Sequence, residues 1–248
     1  MLVTMDVTRR NGECPYRPHL QWRTHTLWVA DMSAREFQIL LDQGYRRSGR
    51  VVYRPACEAC GACQSTRVEV QEFRPGRGMR RCLRANLDLI VETATPTYSR
   101  EKLLLHNRYC RLRHRQDQSE DMSSLEYLYF MVDSPVRTLE FTYRYGDGRL
   151  AGVALVDDLG EIWSSVFTFY DSQETRRGLG TWSILQTLSR ARERGVRWLH
   201  LGYQVMGCRA MDYKLRYQPA QILVAPVHWI DSANRVGCQR EGGVRAGS

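Results

Sequence analysis

Three cysteines at two-residue gaps, Cys57-Glu-Ala-Cys60-Gly-Ala-Cys63, are the densest chemical feature of the 248-residue chain. A tight turn with this spacing aims sulfurs at one metal ion more readily than it closes disulfides. Adding Cys14 gives four thiols, enough for tetrahedral zinc or a [4Fe–4S] cluster, with a reduced, unligated turn as the alternative. Cys82, Cys110, Cys208 and Cys238 show no spacing logic and read as incidental or buried thiols. The chain is neither short nor visibly secreted, which favours reduced cysteines over a disulfide framework.

A second feature is the turn Arg176-Arg177-Gly178-Leu179-Gly180-Thr181, which leads into a helical pattern. A helix start behind such a turn offers free backbone N–H groups and a positive dipole end to a phosphate. A Gly-x-Gly turn alone is weak, since backbone geometry often demands one. The acetyl-coenzyme A loop of N-acetyltransferases carries Gln or Arg three residues before the first glycine. Thr175 stands there in this chain, so the loop suits a phosphate better than coenzyme A.

The third feature is charge. Net charge is +9, and all but two of the 36 basic residues, Lys102 and Lys214, are arginine. Guanidinium grips phosphate in bidentate fashion and stacks on bases, which suits a nucleic-acid partner. GC-rich codon usage would also replace Lys by Arg, but it leaves the net charge unexplained. Arg77, Arg80, Arg81 and Arg84 fall on one side of a helix beginning near Met79, and Arg108, Arg111, Arg113 and Arg115 make a second basic surface. An ordinary solvated helix face is the competing reading of each.

The elements that must position these groups are legible in outline. Composition is that of a globular chain, 43% hydrophobic and 25% charged, with no run approaching a membrane span and no signal-peptide h-region. The expected address is the cytoplasm. Ser33 caps a helix carrying Phe37, Leu40 and Leu41, with Gly44 just past its end. Arg50 to Pro55 and Thr66 to Phe73 read as strands. Arg100 to Arg115 reads as a helix with Leu103, Leu104 and Tyr109 inward, and Ser123 to Phe130 as another. Thr138–Tyr145, the Gly146-Asp147-Gly148 turn and Leu150–Val156 form a hairpin signal, followed by a strand at Glu161–Tyr170, a helix at Trp182–Arg194 and a strand at Trp198–Tyr203. The expected fold is α/β (α+β), an acyltransferase-type core with a smaller N-terminal Cys-containing domain. The expected division is a flexible arm at 1–13, a Cys/Arg-rich domain at 14–95, a transfer domain at 96–230 and a disordered tail at 231–248.

Several motifs in one order carry a family resemblance: Cys14-Pro-Tyr16, Gly44-Tyr-Arg-Arg-Ser-Gly49, Tyr53-Arg-Pro before the cysteine turn, Tyr109-x-x-x-Arg113-His114, Phe167-Thr-Phe-Tyr-Asp171, and Leu201-Gly-Tyr203 followed by Met211-x-Tyr-Lys214. The chain resembles the bacterial aspartate/glutamate leucyl-tRNA–protein transferases, relatives of the arginyl-tRNA–protein transferases. That resemblance implies a GNAT-like fold that uses an aminoacyl-tRNA in place of acetyl-CoA. It further implies transfer of leucine to the α-amine of proteins with N-terminal Asp or Glu, marking them for degradation. The partners are then aminoacyl-tRNA and proteins with acidic N-termini, with no membrane. The transfer step needs no cofactor, because an aminoacyl ester is already activated; a structural zinc or Fe–S group at the cysteine quartet is the one implied addition.

The implied roles follow. Arg176, Gly178, Gly180 and Thr181 hold the tRNA acceptor end, aided by Arg77, Arg80, Arg81 and Arg84. Tyr170, Asp171, Tyr203 and Lys214 form the catalytic set. Asp171 is the proton acceptor, unless it only caps a turn or pairs with Arg176. Arg113, His114, Met211 and Tyr213 meet the acceptor protein. Three other readings stay open: arginine transfer from Arg-tRNA, a coenzyme A-dependent N-acetyltransferase, and a non-catalytic zinc-ribbon RNA-binding module.

Overall fold

A computed structural model describes residues 1–114, 120–205, 207–208 and 211–234. The N-terminal part pairs β1 (Leu2–Glu13) with β2 (Gln21–Asp31), then uses α1 (Ala34–Asp42), β3 (Arg46–Ser48) and β4 (Val51–Pro55) to complete an antiparallel sheet of order β1-β2-β4-β3. Ser33 caps α1 in a reciprocal box with Glu36, and Gly44 follows the helix at φ +83°, as the spacing predicts. Phe37, Leu40 and Leu41 turn onto Leu27, Val29 and Val52 of the sheet. The expected loose arm is instead a strand: residues 2–13 are almost wholly exposed, so no buried apolar stripe announces them, yet they pair with β2 from Leu2–Asp31 to Glu13–Gln21.

The larger sheet draws on the whole chain. It contains β5 (Cys63–Glu69), β6 (Ile90–Ala94), β7 (Thr138–Arg144), β8 (Leu150–Asp158), β9 (Ile162–Tyr170), β10 (Trp198–Val205), β11 (Ala220–Ala225) and β12 (His228–Asp231), in the order β12-β11-β5-β10-β9-β8-β7-β6. Strands β6 to β9 form an antiparallel meander; α5 (Leu179–Glu193) then carries the chain across so that β10 lies parallel to β9. This is the strand-strand-strand, turn, helix, strand order of an acyltransferase-type core. The sheets do not follow the expected partition at residue 95, because β5 and β6 are strands of the large sheet. Of the expected tail, residues 235–248 lie outside the described residues.

Helices cover both faces of the large sheet. Strand β8 shows this directly: Ala154 and Val156 face the cluster of Trp182, Leu185 and Leu188 on α5, while Val153 and Leu155 face Leu105 of α3 (Arg100–His114) and Tyr127 of α4 (Ser124–Tyr127). Helix α2 (Arg77–Arg84) packs beside α5 through Met79, Cys82 and Leu83. Within α3 the expected inward Leu104 is exposed, and Leu105 is buried in its place. The inward stripe includes Lys102 and His106, polar residues that apolar periodicity skips; Lys102 is held there by a buried ion pair with Glu140.

A buried ion pair joins the two sheets. Arg47 of β3 is buried and donates to both carboxylate oxygens of Asp157 on β8, to the Thr138 hydroxyl at 2.6 Å and to the Gly49 carbonyl at 3.1 Å. Removing one partner from such a pair leaves an uncompensated buried charge, which costs about 3–5 kcal/mol. Asp157→Ala should lower the unfolding free energy by that amount in urea titration. The double change Arg47→Met with Asp157→Leu should recover most of the loss.

Candidate active site

The site begins where two strands part. Parallel pairing of β10 with β9 covers only Trp198–His200 against Ile162–Ser164. Beyond it β10 continues along β5 to Val205, and β9 continues along β8 to Tyr170, so the strands diverge. A register shift between His200 and Gly202 bends β10 at this point. Gly202 sits at φ +87°, and any side chain there would run into the guanidinium of Arg46.

Two cations occupy the mouth of this divergence. Arg46, from β3, lies over the Tyr203 ring with its guanidinium carbon 5.9 Å from the centroid, and it donates to the Ser165 carbonyl of β9. Lys214, from the 3₁₀ turn Asp212–Arg216, is buried and donates from Nζ to the Tyr203 carbonyl of β10. The Tyr203 hydroxyl is shared between the carbonyls of Gly44 at 2.7 Å and Tyr53 at 3.1 Å, which ties β10 to the small sheet. Burial first, and the charge of Arg46 second, push the Lys214 ammonium down to about 7. Burial likewise lifts the Tyr203 and Tyr213 phenols above their ordinary value, so both stay protonated at neutral pH.

A groove of about 670 Å³ leads to this mouth. Arg74 and Arg81 line one wall, and Arg176, Gly178 and Thr181 at the start of α5 line another. Tyr213 and Arg216 line its end. Gly178 is the N-cap at φ +64°, and no side chain caps α5, so its first N–H groups remain open to a ligand. Gly180 has a steric reason of its own: a Cβ there would stand 2.9 Å from the Tyr170 hydroxyl. Tyr170 in turn packs edge-on against Tyr109 at 5.0 Å between centroids. The arrangement is a basic groove bordered by Tyr213, whose ring centroid lies 5.8 Å from the buried Lys214 Nζ.

Two family models match the chain: "Arginine-tRNA-protein transferase, N terminus" over residues 12–81 and "Arginine-tRNA-protein transferase, C terminus" over residues 101–224. The chain belongs to the aminoacyl-tRNA–protein transferase family. It is 40% identical over 222 residues to the aspartate/glutamate leucyltransferase of Bradyrhizobium sp. strain ORS 278, a match covering 86% of each chain. It is 38% identical over 214 residues to the enzyme of that name from Alkalilimnicola ehrlichii, covering 85% of this chain and 88% of the relative. Among solved structures, FemX matches with a TM-score of 0.45 at 8% identity, over 80% of this chain and 79% of FemX.

In this transferase the expected site residues separate. Tyr170, Tyr203, Tyr213 and Lys214 gather at the strand divergence, and Arg81, Arg176, Gly178 and Thr181 line the groove. Arg77, Arg80 and Arg84 are exposed on α2 outside the groove lining. Asp171 is buried; its Oδ1 accepts from the Gln173 N–H at 3.2 Å and lies 3.8 Å from Arg108. The structure thus gives Asp171 a turn-capping place, paired with Arg108 and not with Arg176. Arg113 is exposed on α3, Met211 is half-buried beside the Lys214 turn, and the His114 side chain and Arg115 lie outside the described residues. Sequence reasoning singled out neither Arg46 nor Arg216 for the site. For Arg46 a signal existed, since Arg46-Arg47 in one strand must point to opposite faces.

Cys14, Cys57, Cys60 and Cys63 do converge on one pocket of about 280 Å³. Burial, followed by the three neighbouring thiols, raises Cys63 to about 11. Arg17 donates to the Cys60 sulfur at 3.7 Å, and the Arg23 N–H to Cys57 at 3.5 Å. Among the described residues no three Cys, His, Asp or Glu side chains are arranged to share a metal ion, so the quartet as it stands does not fit a closed coordination site. Nor is any described helix long and apolar enough to cross a membrane.

Salt titration tells phosphate contacts in the groove from arginines outside it. Removing one arginine that neutralises a phosphate of a flexible single strand should reduce the slope of log affinity against log salt by about 0.7. Arg176→Ala and Arg216→Ala should each weaken tRNA binding and show that reduction in filter-binding titrations. Arg84→Ala, outside the groove, should leave the slope closer to the parent value.

Proposed function

We propose that this transferase moves leucine from Leu-tRNA to the α-amine of proteins beginning with Asp or Glu, marking them for degradation in the cytoplasm. The observation that carries the reading is the basic groove lined by Tyr213, with the buried amine of Lys214 5.8 Å from the Tyr213 ring centroid. The names of the relatives support the amino acid and the acceptors.

The chemistry asks little of the protein beyond alignment and a proton acceptor. The acceptor α-amine, with a pKa of ~7.7–8.0, attacks the ester carbonyl of the aminoacyl-tRNA. A tetrahedral adduct forms, the new peptide C–N bond is kept, and the ester C–O bond breaks to release the terminal ribose hydroxyl. Alignment alone contributes ~7–11 kcal/mol. In our reading the groove holds the acceptor-end phosphates, and the protonated Tyr213 donates to the oxyanion. Lys214 Nζ, neutral above about 7, takes the proton lost by the amine and passes it to the departing ribose oxygen. Asp171 Oδ1 is already taken up by the Gln173 N–H and faces Arg108, so we assign it to shaping the turn. The four thiols of the cysteine quartet line one pocket between the Cys14 loop and the β4–β5 turn and have no part in the transfer.

Labelled amino acid should pass from a mixed, charged tRNA pool to peptides beginning Asp or Glu, and not to those beginning Lys or Ala. Arginine on the acidic peptides would replace leucine in this reading. Tight acetyl-CoA binding in calorimetry would favour an acetyltransferase instead. The pH dependence carries its own sign. Below about 7 both Lys214 and the substrate amine are protonated, so log kcat/KM should fall with a slope approaching 2. Lys214→Met should lose about 10²–10⁴ in rate and keep a slope of 1, set by the substrate amine alone.

A further inference from the structure

Several buried or half-buried cations of this protein face a carboxylate: Arg47 pairs with Asp157, Arg50 with Asp133, Arg67 with Asp42 at 3.7 Å, and Lys102 with Glu140. Arg46 is half-buried and, among the described residues, forms no ion pair. Its protein partners are one carbonyl, that of Ser165, and the face of Tyr203. A guanidinium has five N–H donors, so most of its capacity is unused. Arg46 and Lys214 share Tyr203, the guanidinium over its ring and Nζ on its carbonyl, and the charge of Arg46 acts on Lys214 and Tyr213. A partly desolvated guanidinium without a counter-charge is costly until an anion joins it.

The fold holds Arg46 there by more than chance packing. Arg47, the next residue, is locked on the opposite face of β3 by Asp157, which leaves Arg46 facing the mouth. The backbone beneath its guanidinium is Gly202, where a side chain would displace Arg46 and where φ +87° favours glycine. The Tyr203 hydroxyl clamps the approach by bonding Gly44 and Tyr53, the residues flanking β3 and lying opposite Arg46. The result is a fixed fork beside the amine that accepts the reaction proton.

We propose that Arg46 is the specificity residue of this transferase, forming a bidentate pair with the side-chain carboxylate of an acceptor's N-terminal Asp or Glu. This inference rests on the transfer reading given above. In such a residue the carboxylate lies two or three carbons from the α-nitrogen. An α-amine placed at Lys214 therefore brings its own carboxylate to the adjacent cation. Planar, doubly hydrogen-bonded recognition of carboxylate is what a guanidinium does better than an ammonium. An N-terminal Asn or Gln, of the same shape without the charge, leaves the guanidinium unpaired and is rejected.

The test compares transfer to Asp and Asn peptides within one preparation, so a partly folded variant still reports. The parent enzyme should prefer the Asp peptide, and Arg46→Gln should shrink that preference roughly ten- to hundredfold, the ratio expected for losing a hydrogen bond to a charged group. Binding of tRNA should hold, since the groove arginines are untouched. If Arg46 only plugs the strand divergence, Asp and Asn peptides fall together and the preference survives, which overturns the proposal. A parent enzyme without preference for acidic peptides overturns the transfer reading itself and this inference with it. On the parent protein, an Asp peptide should protect Arg46 from phenylglyoxal, mapped by mass spectrometry, where an Asn peptide does not. Equal modification under both conditions counts against the assignment.

Discussion

The buried ion pair of Arg47 with Asp157 is the contact on which the site depends. It brings the short strand β3 of the small sheet against β8 of the large one, with Thr138 completing the donor and acceptor count. A buried pair of this kind contributes modest net stability compared with well-packed apolar residues, so register is the better account of it. Because side chains alternate along a strand, fixing Arg47 on one face fixes Arg46 on the other. The same contact therefore welds the two sheets and aims a second guanidinium at the gap between β9 and β10. A single-residue slip of β3 would exchange the two arginines and leave a charge buried in the wrong place.

The gap itself follows from backbone accounting. Where parallel strands part, carbonyls lose their ladder partners and need other donors. Here the Ser165 and Tyr203 carbonyls receive theirs from Arg46 and Lys214. Cations thus satisfy the opened sheet, and a pair of cations is also what a negatively charged ligand seeks. The large sheet supports the opening because helices bury both of its faces, so the strands can separate at one end without the core giving way.

Local chemistry was readable from the sequence where it is local in the fold. The capping box at Ser33 and Glu36, the Gly146-Asp147-Gly148 hairpin and the helix behind Gly178 all depend on residues a few positions apart, and all appear where expected. Half of the groove was legible for the same reason, since Arg176, Gly178 and Thr181 are neighbours in the chain. What escaped was non-local. Strand β1 buries almost nothing, so its pairing leaves no apolar stripe, although Val3, Thr4, Val7 and Thr8 gave a β-branched hint. The membership of β5 and β6 in the large sheet depends on partners more than 40 positions away in sequence. Asp171 looked like a base because it ends a core strand; its Arg108 partner comes from a helix that precedes it by 63 residues.

Tyr213, Lys214 and Arg216 all belong to one five-residue 3₁₀ turn. Two of them line the basic groove and the third is the buried amine behind it. A ligand that orders this turn from the groove side orders it also for a ligand at the amine, and a linkage of that kind is reciprocal, each affinity raised by the same factor.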